Sequence, residues 1–234
     1  MWRSLLVVLA LSAVVGCAAP EEEPATTLAE FGVRPVALIT GDALGEVFPE
    51  TAGQVLCGAV RWGEVVGPVD ATVTVAGACV LRGGDRVVTV RLGGPGLDLG
   101  ATSVNVTVEP EDAALRERAL AALRPVLTGP SNLDGAKLVD LPKPVRTERL
   151  CALLAAEKGD GKCTAGRNEV GLEASLYSVS SYNEHVGGRP ALVTGSAVFV
   201  RVHPDVPVDL RVSGEGAREL AETVVPKLKE AASG

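Results

Sequence analysis

Aromatic and histidine residues are scarce in this sequence. Among 234 residues there are two Trp, two Tyr, three Phe and two His. With so few large rings, the core must be built from Val, Leu and Ala, which favour strands and Ala/Leu-rich helices. The two histidines, His185 and His203, stand apart from any HExxH or CxxC pattern. The sequence therefore predicts neither a metal site nor a cofactor.

Positive charge is also in the minority. The chain has 22 Lys and Arg residues against 29 Asp and Glu, which gives a formal net charge of −7. Because an acidic surface repels phosphates, we expect neither nucleic acid nor anionic lipid headgroups to be partners. A Gly-x-Ser-x-Gly elbow and a complete phosphate-binding loop are missing as well. We therefore predict no catalytic residue.

The apolar run near the start of the chain is short. Residues 5–15 are eleven positions without a charge, which is typical of a signal peptide and too short to span a bilayer. The run ends in Val14-Val15-Gly16-Cys17, which looks like a bacterial lipobox. We predict that residues 1–16 are a lipoprotein signal peptide and that lipidated Cys17 anchors the protein to the outer face of the cytoplasmic membrane. An ordinary secretory signal is the alternative.

The rest of the chain divides by composition. Residues 17–32 contain three consecutive glutamates and two prolines, which favour a solvated acidic tether. Residues 33–128 and 146–232 each combine short strands with a closing helix, and residues 129–145, rich in Pro and Gly, are the predicted linker. We predict an α+β fold of two related halves, each an antiparallel sheet packed by helices and clasped by one disulfide.

Four cysteines remain once Cys17 is set aside: Cys57, Cys79, Cys151 and Cys163. In an exported protein they are expected to form two disulfides, and three connectivities are open. The similarity of the two halves favours Cys57 with Cys79 and Cys151 with Cys163. In the chain-entropy model each of these bridges would stabilise the fold by roughly 3 kcal/mol.

An internal repeat supports this division. Leu56-Cys57 corresponds to Leu150-Cys151, and residues 116–127 correspond to residues 217–228 without a gap, with Pro125 on Pro226. This indicates duplication of one supersecondary plan.

Four finer expectations concern local structure. Residues 36–40 are expected to form a strand, and residues 191–202 one long central strand. Thr51 and Thr147 are expected to cap the helices that carry the first cysteine of each half.

The second half also contains a recognisable series of motifs. A helix with Leu150-Cys151 is followed by Cys163, then by Gly188-Arg189-Pro190-Ala191 before Val-rich strands, and finally by an Ala-rich helix. Over residues 146–230 this series resembles a family of actinobacterial secreted lipoproteins of unknown function. The resemblance implies a sheet with a helix on one face, similar to the extracellular sensor domains of mycobacterial Ser/Thr kinases. It implies no catalytic residues.

Recognition-type side chains gather in one polar stretch, where Tyr177, Tyr182, Glu184 and His185 form a candidate recognition loop. A solvated loop whose rings cover the sheet edge is the alternative. We expect non-enzymatic binding of a protein partner, or of an apolar ligand in a cleft of roughly 300 Å³ or more lined by Val and Leu. A hydrolase of envelope polymers would instead need paired carboxylates, with Glu173 or Glu184 as candidates. A purely structural spacer is the third hypothesis.

Overall fold

The chain forms two antiparallel sheets, one of five strands and one of seven. This computed structural model describes residues 30–177, 179–203 and 206–233. The predicted signal peptide, Cys17 and most of the predicted tether lie outside these ranges. Helices pack on each sheet and one disulfide closes each half, so the predicted α+β fold is confirmed. Within the described ranges, no helix combines the length and hydrophobicity needed to cross a membrane.

The first half is a five-stranded sheet covered by helices. Its strands lie in chain order across the sheet, β1-β2-β3-β4-β5. The helix α1 begins at a proline, whose fixed φ suits the first helical position, and Asp112 caps α3 by accepting a hydrogen bond from the Leu115 backbone N–H at 2.9 Å. The elements are β1 (Glu30–Gly32), a 3-10 helix (Gly41–Glu46), α1 (Pro49–Gly58), α2 (Trp62–Val66), β2 (Asp70–Thr74), β3 (Cys79–Gly83), β4 (Arg86–Asp98), β5 (Ser103–Glu109) and α3 (Ala113–Leu127).

Alternation along these strands builds the first core. In β4, Val88 and Val90 are buried while the residues on either side of each are more exposed. Because successive side chains of a strand point to opposite faces, one face of β3 and β5 likewise packs against α1 and α3. The helices contribute Leu56, Leu115 and Leu123 to this core. Trp62 is the one aromatic residue of the cluster, and its indole N–H donates to the Leu56 carbonyl at 3.1 Å. Aliphatic packing therefore replaces aromatic packing here.

The second half contains the larger sheet, with strand order β6-β7-β8-β12-β11-β10-β9. The chain enters at one edge, leaves β8 for the opposite edge, and returns strand by strand to β12 beside β8. The elements are a 3-10 helix (Leu138–Asp140), α4 (Lys143–Leu154), β6 (Glu157–Lys158), β7 (Cys163–Ala165), β8 (Asn168–Ala174), a 3-10 helix (Val179–Ser181), β9 (Glu184–Val186), β10 (Arg189–Val193), β11 (Ala197–His203), β12 (Val206–Ser213) and α5 (Ala217–Ser233).

The two disulfides occupy equivalent places in the two halves. Cys57 near the end of α1 joins Cys79, the first residue of β3, with Cα atoms 5.2 Å apart. Cys151 near the end of α4 joins Cys163, the first residue of β7, at 5.3 Å. The predicted local pairing is confirmed. In each half the bridge joins the leading helix to the beginning of a strand.

Several local expectations are wrong. Residues 36–40 form no named strand, because this segment makes only an isolated bridge between Leu38 and Asn132. Residues 191–202 are divided between β10 and β11, since the Thr194 backbone N–H and hydroxyl both donate to the Ala197 carbonyl, at 2.8 and 2.9 Å, around a turn that contains Gly195. Because residues 191–202 are mostly apolar, their sequence pattern does not show the turn between the two strands.

Neither predicted threonine cap is observed. The helix α1 already begins at Pro49 and α4 at Lys143, so Thr51 and Thr147 lie inside the helices. Thr51 donates instead to the Asp140 carboxylate at 3.2 Å, and Thr147 donates to the Lys143 carbonyl at 2.8 Å. Proline in the first turn moves each helix start to an earlier residue.

A buried ion cluster joins the two halves. The Arg34 guanidinium donates to both Asp140 oxygens, at 2.7 and 3.0 Å, and to Glu50 at 3.0 Å. Both carboxylates are almost completely buried, with side-chain exposures of 2% for Asp140 and 1% for Glu50. Burial alone would lower the pKa of Arg34, but the hydrogen bonds to the two carboxylates outweigh it and raise that pKa. Arg34 is therefore a permanent cation between the halves.

A second contact fixes the same junction. Phe48 belongs to the first half but packs into the core of the second. The Arg146 guanidinium lies 3.8 Å from the centre of the Phe48 ring and donates to the Leu141 carbonyl at 2.8 Å. Burial lowers the pKa of Arg146 to about 10, so this side chain stays charged at neutral pH. The two sheets are thus joined by both charge and apolar packing.

We expect Arg34→Met to lower the free energy of unfolding by about 3 kcal/mol, because Glu50 and Asp140 would remain buried without their cation. Urea unfolding at neutral pH measures this loss. Arg61→Met is the control, since Arg61 and its partner Glu64 are both largely exposed and should contribute little. Equal stability of the two variants would contradict the assigned role of Arg34.

Candidate functional site

A cleft of about 330 Å³ lies between the second sheet and α5, and we refer to it as the slot. This volume is at the low end of the range for small-molecule sites, roughly 300 to 1,000 Å³. The cleft is one of several hollows of comparable volume in the described structure. Its apolar lining consists of Leu138, Val139, Leu172, Val200, Val202, Val225 and Leu228.

Three parts of the chain form the walls of the slot. The sheet contributes Leu172 and Val200 from β8 and β11, on the face that packs against α5. The helix contributes Val225 and Leu228, three residues apart and so on one side of α5. The third wall is the 3-10 helix Leu138–Asp140, which lies in the predicted linker 129–145. The linker is therefore part of the site.

The remaining lining residues are basic. They are Lys137, Arg189, His203 and Lys229. Lys229 is held in place, because its Nζ donates to the Gly187 carbonyl at 3.0 Å. Lys137 and Lys229 are exposed and Arg189 is half-buried, whereas Val200 and Val225 are buried. The slot thus has an apolar floor and a basic solvent-facing side.

Carboxylates in the interior are paired with arginine and do not line the slot. Glu50 and Asp140 bind Arg34 at the junction, and Asp209 binds Arg201 at 3.0 Å. In the described part of the chain, no group of three or more His, Cys, Asp or Glu side chains is placed to hold a metal ion. The slot therefore offers a mainly apolar surface and no carboxylate.

The opposite face of the second sheet carries a polar network centred on Asp209, which is 1% exposed. Besides Arg201, the Tyr182 hydroxyl binds this carboxylate, with O···O distances of 2.6 and 2.7 Å. The same hydroxyl accepts a hydrogen bond from Arg201 Nη2 and lies within hydrogen-bonding distance of Ser175 Oγ, both at 2.8 Å. Burial, and then the hydrogen bond to Asp209, raise the pKa of Tyr182. Every member of this network has a partner, so it fastens the loop to the sheet.

The structure does not bring the predicted recognition residues into one site. Tyr177 packs edge-on against Phe199, with ring centres 5.1 Å apart, and Tyr182 belongs to the Asp209 network. Glu184 pairs with Arg218 of α5, while His185 is exposed on β9. The two tyrosine rings lie over the central strands β11 and β12, on the face opposite α5, whereas the solvated-loop alternative places them at the sheet edge.

Glu173 and Glu184, the carboxylates considered for hydrolysis, also lie outside the slot. Glu173 pairs with Arg211 at 3.1 Å on the face opposite α5. Glu184 is on the edge strand β9, next to α5.

The sequence predicts a cleft lined by Val and Leu but does not identify its residues, because they are spread from position 137 to position 229. In the sequence analysis Leu228 belongs only to the repeated segment 217–228. Arg189 was noted only as part of a motif before a strand. The basic residues at the start of β10 and near the end of α5 are visible in the sequence. Only the sheet topology shows that they line the same cleft.

A second hollow, of about 380 Å³, lies in the first half between residues 33–38 and α1. Its charged lining residue, Arg34, already binds two buried carboxylates. Gln54, which also lines it, donates to Glu50 at 2.9 Å and accepts from the Arg34 backbone N–H at 2.8 Å. Because these polar groups stabilise the junction, the slot is the better candidate for a ligand.

No protein-family model, curated protein or solved structure matches this chain. The function must therefore be inferred from the slot and its surroundings, since fold alone does not determine function.

We expect the free energy of unfolding to fall as the pH rises above about 10, and this fall to be smaller in Tyr182→Phe. A phenol whose pKa is higher in the folded state adds stability that is complete below its unfolded pKa and is lost as the pH rises through its folded pKa. Urea unfolding between about pH 9 and pH 11 measures the difference. Tyr177→Phe, which keeps the hydrogen bonds between Tyr182 and Asp209, is the control. An unchanged dependence in Tyr182→Phe would contradict the network.

Proposed function

We propose that this protein is a lipid-anchored lipoprotein of the bacterial cell envelope that binds an apolar ligand in the slot without catalysing a reaction. The slot carries the proposal, because about 330 Å³ lined by seven Val and Leu side chains is the kind of cleft that this function requires. A completely packed second half would have favoured a protein partner instead.

Two observations support the location. Both disulfides are consistent with an extracytoplasmic protein, since the cytoplasm keeps thiols reduced. The sequence Val14-Val15-Gly16-Cys17 supports anchoring by a lipid on Cys17. A protein held at the membrane surface is close to the apolar molecules that a slot of this kind accommodates.

The arrangement of carboxylates favours binding over hydrolysis. A glycoside hydrolase needs two carboxyl groups roughly 5 to 10 Å apart in one groove. Glu50 and Asp140 do lie close together, but both are buried and bound to Arg34. Because no carboxylate lines the slot, it lacks the pair of carboxyl groups that glycoside hydrolysis requires.

We expect the uncharged dye Nile red to bind the slot, which would be seen as saturable enhancement of its fluorescence. Val202→Trp should weaken this binding at least about tenfold, because an indole placed in the lining would occupy the space of the ligand.

Leu192→Trp is the matched control. Leu192 is half-buried on the same sheet, but it pairs with Phe199 and so lies on the face away from α5. This variant should bind Nile red like the wild type. Absence of saturable binding to the wild type, or equal binding by both tryptophan variants, would refute the proposed site.

We expect the mature protein to begin at Cys17 and to carry a lipid. In a bacterial host fed an alkyne-labelled fatty acid, the wild-type protein should incorporate the label and fractionate with membranes, whereas Cys17→Ser should not incorporate it. Ser12→Ala, within the apolar run, is the control and should be labelled. Intact mass spectrometry showing an unmodified first residue in the wild type would contradict the anchor.

A further inference from the structure

We propose that the slot selects an amphiphile with one alkyl chain and an anionic headgroup, and that Lys137, Arg189 and Lys229 bind the headgroup. This inference rests on the proposed function, because it specifies the ligand of the same slot.

The first observation is a local reversal of charge. The chain carries a net charge of −7 with His counted as neutral, yet three of the eleven residues that line the slot are Lys or Arg and none is Asp or Glu. Basic side chains are thus concentrated at the opening of the slot, where a bound apolar ligand would reach solvent. The acidity of the whole chain argues against broad contact with anionic headgroups, but it does not oppose a single anion bound at this opening.

The second observation is that separate elements supply these cations. Lys137 directly precedes the 3-10 helix Leu138–Asp140, Arg189 is the first residue of β10, and Lys229 lies in α5. The tight turn before β10 holds Arg189 close to α5, the helix that carries Lys229. A Cβ at Gly187, where φ is +55°, would meet Val225 at 2.8 Å, so glycine lets this turn pack directly on α5.

The third observation concerns the partners of these basic groups. Arg34 and Arg201 both bind buried carboxylates, whereas neither Lys137 nor Arg189 makes an ion pair with a described residue. A guanidinium offers a planar pair of donors that matches a carboxylate or a phosphate. Arg189 is therefore the residue best suited to contact the headgroup directly, beside the buried floor formed by Val200 and Val225.

The size of the slot limits how many alkyl chains the ligand can have. At about 330 Å³ it is small for a ligand site, which favours one alkyl chain over the two chains of a diacyl lipid. Contact of an ion pair with the apolar floor lowers the local dielectric constant and strengthens the attraction. Carboxylate and phosphate headgroups share the required chemistry, so a free fatty acid and a lysophospholipid are two sources of it.

The test is displacement of Nile red from the full-length wild-type protein, with each competitor below its micellar concentration. Laurate should displace the dye at about tenfold lower concentration than dodecanol, which has the same chain length and no charge. Lysophosphatidylglycerol compared with lysophosphatidylcholine gives the second arm. A preference for the anion in either arm supports the proposal and identifies the source, and the preference should decrease as salt concentration rises.

The double variant Lys137→Gln/Arg189→Gln should lose this preference. The measured quantity is the ratio between laurate and dodecanol, because binding of dodecanol shows within the same sample that the slot is intact. Arg91→Gln, an exposed position in the first half, is the control and should keep the wild-type ratio.

Equal displacement by laurate and dodecanol in the wild type would overturn the anionic headgroup and leave the slot as a binding site. An unchanged ratio in the double variant would overturn the role of these two residues. If Nile red itself does not bind, the proposed function and this inference both fail.

Discussion

The bidentate pair between Arg34 and Asp140 is the constraint on which the rest of the structure depends. Asp140 ends the 3-10 helix whose other residues, Leu138 and Val139, form one wall of the slot. A buried ion pair gains little net stability, because desolvation offsets attraction, but its geometry is specific. By holding Asp140, the first half fixes the position of a wall in the second. The two halves are therefore one functional unit although each has its own sheet and core.

The scarcity of aromatic residues explains how the remaining parts are stabilised. Both cores consist mainly of Val, Leu and Ala, and each leading helix is tied to its sheet by a disulfide. Of the three phenylalanines in the chain, Phe48 is the one buried, and it connects the halves through Arg146. Among the described large rings, Trp62 lies in the first core, Phe48 at the junction of the halves, and Tyr177, Tyr182 and Phe199 on one face of the second sheet.

The sequence was sufficient for the fold class and the disulfide pairing, because both follow from local patterns repeated in the two halves. It was insufficient for features that depend on how distant parts of the chain are arranged in the sheets. The sequence did not predict the hairpin of β10 and β11. A strand that is buried on one face and half-buried on the other shows no clear alternation of apolar and polar residues. The residues of the slot could not be identified from the sequence, because Lys137, Arg189 and Lys229 are far apart in the chain. They come together only through the strand order of the second sheet.

The difference between the halves explains why the slot is in the second. In the first, α1 packs on β2, β3 and β4 while α3 packs on β4 and β5, so two helices cover the sheet face. In the second, α4 lies over β6, β7 and β8 and α5 over β9, β11 and β12. A wider sheet under the same number of long helices leaves apolar surface between them, and the segment 137–139 covers it only in part. The second half therefore has an open cleft at the place where two helices cover the sheet face of the first half.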